Sequence, residues 1–408
     1  MKDNWVKVQL SNLVECLDGQ RIPIKKEIRE LIKGSIPYYG ASGIIDFVND
    51  YIFDEELILL GEDGENVISR NLPLAFKISG KNWVNNHAHV LRAKHGYDTD
   101  FLVYLLENRD YTDIVSGSAQ PKINQNNLMK LVFNVPESLQ KQQKIAKILS
   151  TCDEVIEKTE AAIAKYKAIK QGMMHDLFTR GIDVSTGKLR PSYQEAQELY
   201  KESELGMIPK EWEVSTFGRY TTHNLYGPRF SANDYHIDGN VKTIRGTDFT
   251  KDGNILYDQA PVAMLDKSKI LPHILKSGDI VMITTADCGL TAVFEEQDID
   301  FISSAYAVKY RFNEHINPYF IKYLMQTESL LKQVNKCIRQ GTLGNLPGSD
   351  VLKFLFCKPE LDEQIEIVER FKSLFQKLQA EESSLSKYKK LKEGLMQDLL
   401  TGKVEVSE

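Results

Sequence analysis

The sequence has few cysteines, and none of them forms a metal-binding pattern. Its five cysteines are scattered over 408 residues without a Cys-x-x-Cys pair. This spacing indicates neither a disulfide framework nor a zinc site. No apolar run approaches the roughly 18 residues of a membrane-spanning helix, and no signal peptide opens the chain. We therefore expect a cytoplasmic protein without a membrane span.

The motifs of common cofactor and catalytic sites are absent as well. The sequence has no GxxxxGK[ST] loop, no GxGxxG after a strand, no HExxH and no GxSxG. Asp63 could act as an acid or base, but the turn Gly61-Glu-Asp-Gly64 explains it equally well. His87 and His89 share one face of a predicted strand without a third metal ligand nearby, which favours packing or hydrogen bonding. We therefore predict a non-catalytic chain with no metal and no cofactor of its own.

An excess of positive charge is also missing. The net charge of −6 counts against a generic nucleic-acid-binding protein, which is usually basic. Residues 120–180, however, contain ten Lys or Arg against six Asp or Glu. A local basic face thus remains compatible with the overall charge.

A long helix is predicted for residues 140–178, which contain no proline and only one glycine, Gly172. Apolar residues recur there at intervals of four and three, as in a helix that packs against another helix. About 40 residues would make a rod of roughly 60 Å. The predicted seam comprises Ile145, Leu149, Cys152, Ile156, Thr159, Ile163 and Tyr166.

The same pattern recurs 222 residues later. The second seam comprises Ile367, Phe371, Leu374, Leu378, Glu381, Leu385 and Tyr388. Both copies leave the repeat in the same way, stepping to Ile169 and Leu391 three residues after the tyrosine. Shared irregularity indicates duplication, so the chain is predicted to be a pseudo-twofold tandem repeat whose two long helices form an antiparallel coiled coil.

The remaining sequence reads as short strands and turns with few helices, which predicts an α+β fold with two similar mixed α/β domains. Residues 83–91 alternate near their end like a strand, and residues 302–308 parallel 84–90 at an offset of 218, the offset that also relates the helices starting at Phe101 and Tyr319. Residues 182–209 read as a linker with a short helix around 194–201. The predicted boundaries are 1–136 for the first domain, 137–181 for the first long helix, 182–209 for the linker, 210–358 for the second domain and 359–408 for the last helix.

Turn-rich loops supply the candidate binding residues. Arg, Lys, Gln and Asn can pair with base edges, whereas hydroxyl groups suit phosphates. Each residue alone could equally be an ordinary polar loop residue, and the signal is the recurrence of such loops in both copies. The candidates are Tyr38, Tyr39, Ser42, Arg70, Gln120, Lys122, Tyr226, Arg229, Arg245, Thr247, Arg339, Gln340 and Thr342.

The chain resembles the DNA specificity subunits of type I restriction–modification systems. The resemblance rests on the duplicated helices, on the ends 172–177 and 394–399, and above all on Ser203-Glu-Leu-Gly-Met-Ile-Pro-Lys-Glu-Trp-Glu-Val214. Residues 60–64, 85–91 and 226–230 also resemble that family's recognition domains.

The resemblance implies two target-recognition domains held apart by the paired helices. It also implies double-stranded DNA, two modification (adenine methyltransferase) subunits and restriction (motor-nuclease) subunits as partners. S-adenosylmethionine, ATP and Mg would belong to those subunits. The target would be split and asymmetric with an unread spacer. The alternative is a coiled-coil scaffold that assembles proteins without reading DNA; the acidic charge favours it, and the divergence of the two globular halves counts against it.

Overall fold

The computed structural model describes residues 4–117, 120–339, 341 and 343–407. It divides into two compact units. Unit 1 comprises Met1–Ala162 and Glu381–Glu408, and unit 2 comprises Ile163–Ala380. Each unit therefore holds one globular domain together with a segment of each long helix. Among the described residues, no helix is both long enough and apolar enough to cross a membrane.

The globular part of unit 1 is built from short strands and short helices. Its elements are β1 (Trp5–Gln9), α1 (Leu10–Leu13), β2 (Val14–Cys16), α2 (Lys26–Leu31), β3 (Lys33–Gly40), β4 (Gly43–Val48), β5 (Phe53–Asp54), β6 (Leu57–Gly61), α3 (Asn66–Ser69), β7 (Ala75–Ile78), β8 (Lys81–Val84), β9 (Ala88–Ala93), α4 (Thr99–Glu107), β10 (Val115–Ser116), β11 (Lys122–Ile123), α5 (Gln125–Leu128) and β12 (Val132–Pro136). Two four-stranded sheets have the orders β2-β9-β6-β7 and β4-β3-β8-β5. The first strand pairs with the last, β1 with β12, and so closes the domain.

The chain continues with the first long helix and then with unit 2. The elements are α6 (Leu139–Thr179), β13 (Ile182–Asp183), β14 (Lys188–Leu189), β15 (Tyr200–Ser203), β16 (Gly206–Pro209), β17 (Glu213–Thr216), α7 (Phe217–Tyr220), β18 (Thr221–Tyr226), β19 (Val241–Ile244), β20 (Val262–Ala263), α8 (Lys267–Ile270), β21 (Ile280–Ile283), β22 (Thr291–Val293), β23 (Phe301–Ser303), β24 (Ala307–Phe312), α9 (Pro318–Leu324), α10 (Glu328–Cys337), α11 (Gly348–Val351), β25 (Leu355–Lys358) and α12 (Leu361–Leu399). The sheets of the globular part have the orders β18-β24-β21-β22, β20-β19-β23 and β17-β25.

The two globular domains share one topology, which confirms the predicted α+β tandem repeat. The only parallel strand pairs, β3 with β8 and β19 with β23 among the described residues, occupy equivalent places. The offset in this region is 219, not the predicted 218. Strands β9 and β24 have the same pattern of four buried and two half-buried residues, and Asp98 and Asn317 cap the equivalent helices α4 and α9.

The long helices pack against the core of the unit to which each segment belongs. In unit 1, Leu149 of α6 and Leu399 of α12 join a buried cluster with Phe101. In unit 2, Leu177 and Phe371 join the corresponding cluster with Phe320. Burial of such side chains stabilises each by about 1.5–3 kcal/mol. The helices therefore belong to the domain cores.

Within each unit the two helix segments run antiparallel. In unit 1, Lys389 Nζ lies 2.6 Å from Glu160 Oε1, and Lys392 Nζ lies 2.5 Å from Asp153 Oδ1. In unit 2, Phe178 stacks on Phe371 with ring centroids 5.8 Å apart. Lys170 Nζ lies 4.5 Å from the Phe375 ring centroid. In both units the residue number falls on one helix as it rises on the other.

Most of the predicted seam is buried. The buried members are Ile145, Leu149, Ile156, Ile163, Ile367, Phe371, Leu374 and Leu378. Tyr166 and Leu385 are half-buried, but Tyr388 is 37 % exposed, which corrects its assignment to the seam. Lys389 and Lys392, three residues apart, face α6 there. Tyr388 is turned about 100° from Lys389 around the helix and lies at its edge.

The predicted linker is folded rather than extended. It forms two hairpins, β13 with β14 and β15 with β16, and the predicted short helix is a single 3₁₀ turn at Gln197–Leu199. Glu363 at the start of α12 holds this segment, because its carboxylate accepts hydrogen bonds from Ile182 N at 2.7 Å and Trp212 Nε1 at 2.9 Å. Arg190 forms a bidentate ion pair with the same carboxylate.

Glycines in the left-handed region follow both long helices. Gly181 has φ 63°, the left-handed conformation typical of a glycine that follows a helix. Gly402 has φ 68°, and α12 ends at Leu399 instead of continuing through the predicted range 359–408. A Cβ at Gly181 would lie 2.3 Å from Trp212 Cζ2, and one at Gly402 would lie 2.8 Å from Trp5 Cε2. Both positions therefore require glycine for conformation and for space.

Candidate nucleic-acid interface

Four chain segments meet at one end of the sheets of unit 1 and form what we call loop cluster 1 (residues 39–42, 62–64, 85–87 and 120–123). Asn85 N donates to Tyr39 O at 3.0 Å, and Glu62 N donates to His87 O at 2.8 Å. Ile123 N donates to Glu62 O at 2.8 Å, and Gly64 N donates to Pro121 O at 3.0 Å. The loops are thus held by backbone hydrogen bonds, which do not depend on side-chain identity.

The break between β8 and β9 belongs to this cluster and corrects the single strand predicted for residues 83–91. Asn85 Oδ1 accepts a hydrogen bond from His87 N at 2.8 Å, which closes a tight turn and ends the strand. His87 therefore lies in the turn and His89 in β9. The two histidines do not share a strand face.

Unit 2 repeats the frame in loop cluster 2 (residues 244–247, 284–286, 304–306 and 343–346). Its backbone hydrogen bonds join the equivalent atoms. They are Ser304 N to Ile244 O at 2.8 Å, Thr284 N to Tyr306 O at 2.9 Å, Leu346 N to Thr284 O at 2.8 Å and Ala286 N to Gly344 O at 3.1 Å. Ala286 even takes the left-handed conformation of its counterpart, with φ 66° against 99° for Gly64. A non-glycine residue is strained there, so the frame is imposed by the surrounding bonds.

The side chains on the two frames differ in charge. In loop cluster 1, His87 Nδ1 lies 2.9 Å from Asp63 Oδ2, and Lys122 Nζ lies 3.0 Å from Glu62 Oε1. The equivalent positions in loop cluster 2 carry Thr285, Tyr306 and Asn345, none of which is charged. Two equivalent surfaces therefore present different chemistry.

A cluster of buried charged side chains supports loop cluster 1. Arg21 Nη1 lies 2.5 Å from Glu62 Oε2, and His89 Nδ1 lies 2.6 Å from Asp18 Oδ2. Burial opposes ionisation of Asp18, but the hydrogen bonds from His89 and Val90 N together with the charges of His89 and Arg21 outweigh it and lower the pKa of Asp18. Burial likewise opposes ionisation of Glu62, and hydrogen bonds from Arg21 and Lys122 lower its pKa.

This cluster resembles a metal site in its ligands but not in its charge balance. Single ligand atoms of Asp18, Glu62 and His89 lie within 4.8 Å of one another. The two carboxylates, however, already pair with the cationic groups of Arg21 and Lys122. A metal ion would have to displace these bonds, so the cluster is best explained as a support for the loops.

The comparison with protein families decides what these surfaces belong to. Residues 2–166 and 209–387 match the family of the type I restriction modification DNA specificity domain. The chain belongs to this family. The two matches contain the two loop clusters, and the assignment does not favour the scaffold alternative.

Sequence relatives agree with this family assignment, and a solved structure shares the fold. The chain is 26 % identical to the Type I restriction enzyme MjaVIII specificity subunit of Methanocaldococcus jannaschii, over 99 % of this chain and 94 % of that one. It is 32 % identical to a putative type I restriction enzyme specificity subunit of Haemophilus influenzae over 34 % of this chain and 35 % of that one. The crystal structure of a type I restriction–modification S subunit from M. genitalium superimposes with a TM-score of 0.63 at 14 % identity, covering 100 % and 98 % of the two chains.

Several predicted residues of this specificity-domain chain lie in or beside the loop clusters. Tyr39, Ser42, Gln120 and Lys122 belong to loop cluster 1, and Arg245 and Thr247 belong to loop cluster 2. Arg339 borders loop cluster 2 through paired backbone hydrogen bonds with Asn345. Arg229 is exposed and has no hydrogen-bond or ion-pair partner in the described parts of the chain. Gln340 and Thr342 lie outside the described residues.

Other predicted residues serve the fold. Tyr38 is 1 % exposed and its hydroxyl accepts a hydrogen bond from Ile24 N, which removes it from the candidates. Arg70 donates to Arg109 O at 3.0 Å, two residues beyond the end of α4. The Tyr226 hydroxyl accepts a hydrogen bond from Gly348 N, although its ring is partly exposed.

Arg245 is held in place by Asp248, with Nη2 2.9 Å from Oδ1. This hydrogen bond is the main cause that raises the pKa of Arg245, so its charge is fixed. Sequence reasoning did not assign Asp63, His87, Thr285, Tyr306 or Asn345 to the interface. The signal that would have found them is the equivalence of backbone positions between the two copies, which the divergent loop sequences conceal.

Proposed function

We propose that this chain is the specificity subunit of a type I restriction–modification complex and reads DNA through loop clusters 1 and 2, one for each half of a split target. The observation that carries this is the repetition of four backbone hydrogen bonds under different side chains. A shared frame places side chains equivalently, and different side chains select different base edges. Two unlike reading surfaces imply an asymmetric target, and the proposal includes an unread spacer between its halves.

The partners follow from the same proposal. The chain performs no chemistry itself, and two modification subunits supply adenine methylation, with S-adenosylmethionine bound to them. Restriction subunits, with ATP and Mg, would complete the complex. Another solved structure, which concerns complex assembly of the type I restriction–modification system, contains a chain that superimposes with a TM-score of 0.52 at 13 % identity. This similarity supports the fold, while the stoichiometry remains part of the proposal.

The test compares the purified full chain with the chain assembled with its modification subunit. Methylated adenines are mapped on genomic DNA after incubation with S-adenosylmethionine. We expect methylation only by the assembly, at one split sequence with a spacer of constant length. Methyl transfer by the chain alone would show that it is an enzyme. Methylation at a continuous site would contradict reading by two units.

A further inference from the structure

We propose that three equivalent positions in each loop cluster select the bases of the two half-sites. They are Asp63, His87 and Lys122 in unit 1, and Thr285, Tyr306 and Asn345 in unit 2. The inference rests on the proposed DNA-reading function and adds to it which side chains discriminate. The inference follows from the positions at which the two equivalent backbone frames carry exposed side chains.

The backbone pairing that defines these positions is direct. Asp63 forms an isolated antiparallel β-bridge with Lys122, and Thr285 forms one with Asn345. The carbonyl oxygens of His87 and Tyr306 accept equivalent hydrogen bonds, from Glu62 N and Thr284 N respectively. The three members of each set therefore lie on neighbouring loop segments whose spacing is fixed by backbone hydrogen bonds.

Four of the six side chains at these positions are exposed, Thr285 is half-buried, and the side chain of Asp63 is 14 % exposed. The side chains of His87 and Lys122 are 48 % and 49 % exposed, and Tyr306 is 65 % exposed. By contrast, Glu62 and Thr284, which carry the central hydrogen bonds, are 7 % and 1 % exposed. A base edge that approaches loop cluster 1 would meet His87, held by Asp63, and Lys122, and one that approaches loop cluster 2 would meet Tyr306 and Asn345.

In unit 1, Asp63 acts as a positioning residue for His87. Its carboxylate lies 2.9 Å and 3.0 Å from Nδ1 through its two oxygens, so the proton on Nδ1 is donated to Asp63. The ring is then fixed, and Nε2 has no hydrogen-bond partner in the part of the chain that the structure describes. A fixed imidazole nitrogen can form a hydrogen bond with a base edge at little ordering cost, and the ammonium group of Lys122 in the same cluster can form another.

In unit 2 the equivalent set has no charge. Tyr306 and Asn345 offer hydroxyl and amide groups, which both donate and accept hydrogen bonds. Asn suits the adenine edge, and a tyrosine ring can also contact a thymine methyl group or a sugar. The two clusters therefore recognise different sequences although their backbones coincide.

The experiment transfers the unit 2 residues into unit 1. The triple variant Asp63→Thr, His87→Tyr, Lys122→Asn is assembled with the modification subunit, and methylated adenines are mapped. Because the variant removes one acid and one base, its net charge is unchanged. The matched control carries the same three substitutions at exposed positions outside the cluster, Asp50→Thr, His95→Tyr and Lys130→Asn. His95 follows β9, whereas His87 precedes it.

We expect the triple variant to lose or change only the half-site read by unit 1, with methylation of the original site reduced on the order of 10- to 100-fold. Continued recognition of the other half-site would show in the same experiment that the protein is folded and assembled. The control should methylate the original site. An unchanged site in the triple variant overturns the inference, and so does a change in both half-sites. If the wild-type assembly methylates no specific sequence, the proposed function itself fails.

Discussion

Gln142, buried in the first turn of α6, accepts a hydrogen bond on Oε1 from Asp98 N at 2.9 Å and so joins the long helix to the cap of α4. Its Nε2 donates to Pro136 O at 3.0 Å. In unit 2, Gln364 repeats the arrangement with Asn317 N at 2.9 Å and Pro359 O at 2.9 Å. One glutamine in each unit thus fixes the angle at which a long helix leaves its domain.

Replacing this glutamine should destabilise one unit and spare the other. Gln142→Leu keeps the volume but leaves buried backbone groups without partners, which costs about 1–3 kcal/mol for each group. Urea denaturation monitored by hydrogen exchange of the α4 amides should show the lower stability of unit 1. The control is Gln140→Leu, an exposed position on the same helix. Equal stability of the two variants would mean that the buried amide makes no net contribution.

Arg229 and Arg21 should respond in opposite ways to replacement by alanine. Both follow a strand in the equivalent motif x-Gly-x-Arg, after β18 and β2. Arg229 is exposed, so Arg229→Ala should leave the unfolding free energy within about 0.5 kcal/mol. Arg21→Ala leaves the buried carboxylate of Glu62 without its closest partner, which costs about 3–5 kcal/mol.

DNA affinity, unlike the free energy of unfolding, should depend on Arg229. Titration of the assembled complex with target duplex is expected to show affinity reduced by about tenfold in Arg229→Ala, since a base contact by arginine contributes roughly 1–3 kcal/mol. A salt series would separate a phosphate contact from a base contact, because only the former lowers the salt slope. Full affinity in Arg229→Ala would exclude this residue from the interface.

Because Lys322 in α9 is buried, we predict that the stability of unit 2 depends on pH. The lysine side chain is 6 % exposed, and Nζ donates to Asn254 Oδ1 at 2.6 Å. Burial lowers the pKa of Lys322 to about 8, although nearby carboxylates of Glu295 and Asp252 oppose this shift. Below about pH 8 the lysine is charged in both states, and the folded state bears the cost of desolvation.

As the pH rises from about 8 to about 10.5, the folded protein loses this proton before the unfolded chain does, so stability increases. Lys322→Met should therefore stabilise unit 2 at pH 7, by at most roughly 3 kcal/mol less the lost hydrogen bond. The advantage should shrink through that pH window. Lys332→Met, at an exposed position, is the control. A difference between Lys322→Met and wild type that is constant from pH 7 to 10.5 would contradict the buried charge.

The helices and the repeat could be predicted because they depend on local periodicity. Leu149 and Phe371 recur with their neighbours at helical spacing, and Gly181 marks a helix end by its own conformational freedom. These features need no knowledge of which distant residues meet.

The interface depended on distant pairs and was predicted only in part. Asp63 and His87 are 24 residues apart, and only the folded sheet brings them together. Tyr38 and Tyr39 are adjacent in sequence, yet the first is buried and the second borders the loops, because side chains alternate along β3. Aromatic loop composition alone could not separate these two roles.

The folded linker was missed for the same physical reason, and it supports the last prediction. Glu363 is 3 % exposed and binds groups up to 181 residues away in sequence. Glu363→Gln removes the charge opposite Arg190, leaving a buried guanidinium whose remaining ion-pair partner, Glu211, is exposed. Loss of one partner of a buried ion pair costs about 3–5 kcal/mol. Unfolding of unit 2 should occur at correspondingly lower urea.

Limited proteolysis would locate the effect of Glu363→Gln. Cleavage within residues 182–209 should become faster, because the amide cannot hold both Arg190 and the backbone N–H of Ile182 as the carboxylate does. Glu366→Gln, three residues further along α12 and exposed, removes the same charge without touching the network. If both variants are cleaved at the wild-type rate, the hairpins β13–β14 and β15–β16 are held by packing alone, and the carboxylate of Glu363 is dispensable for the fold of this segment.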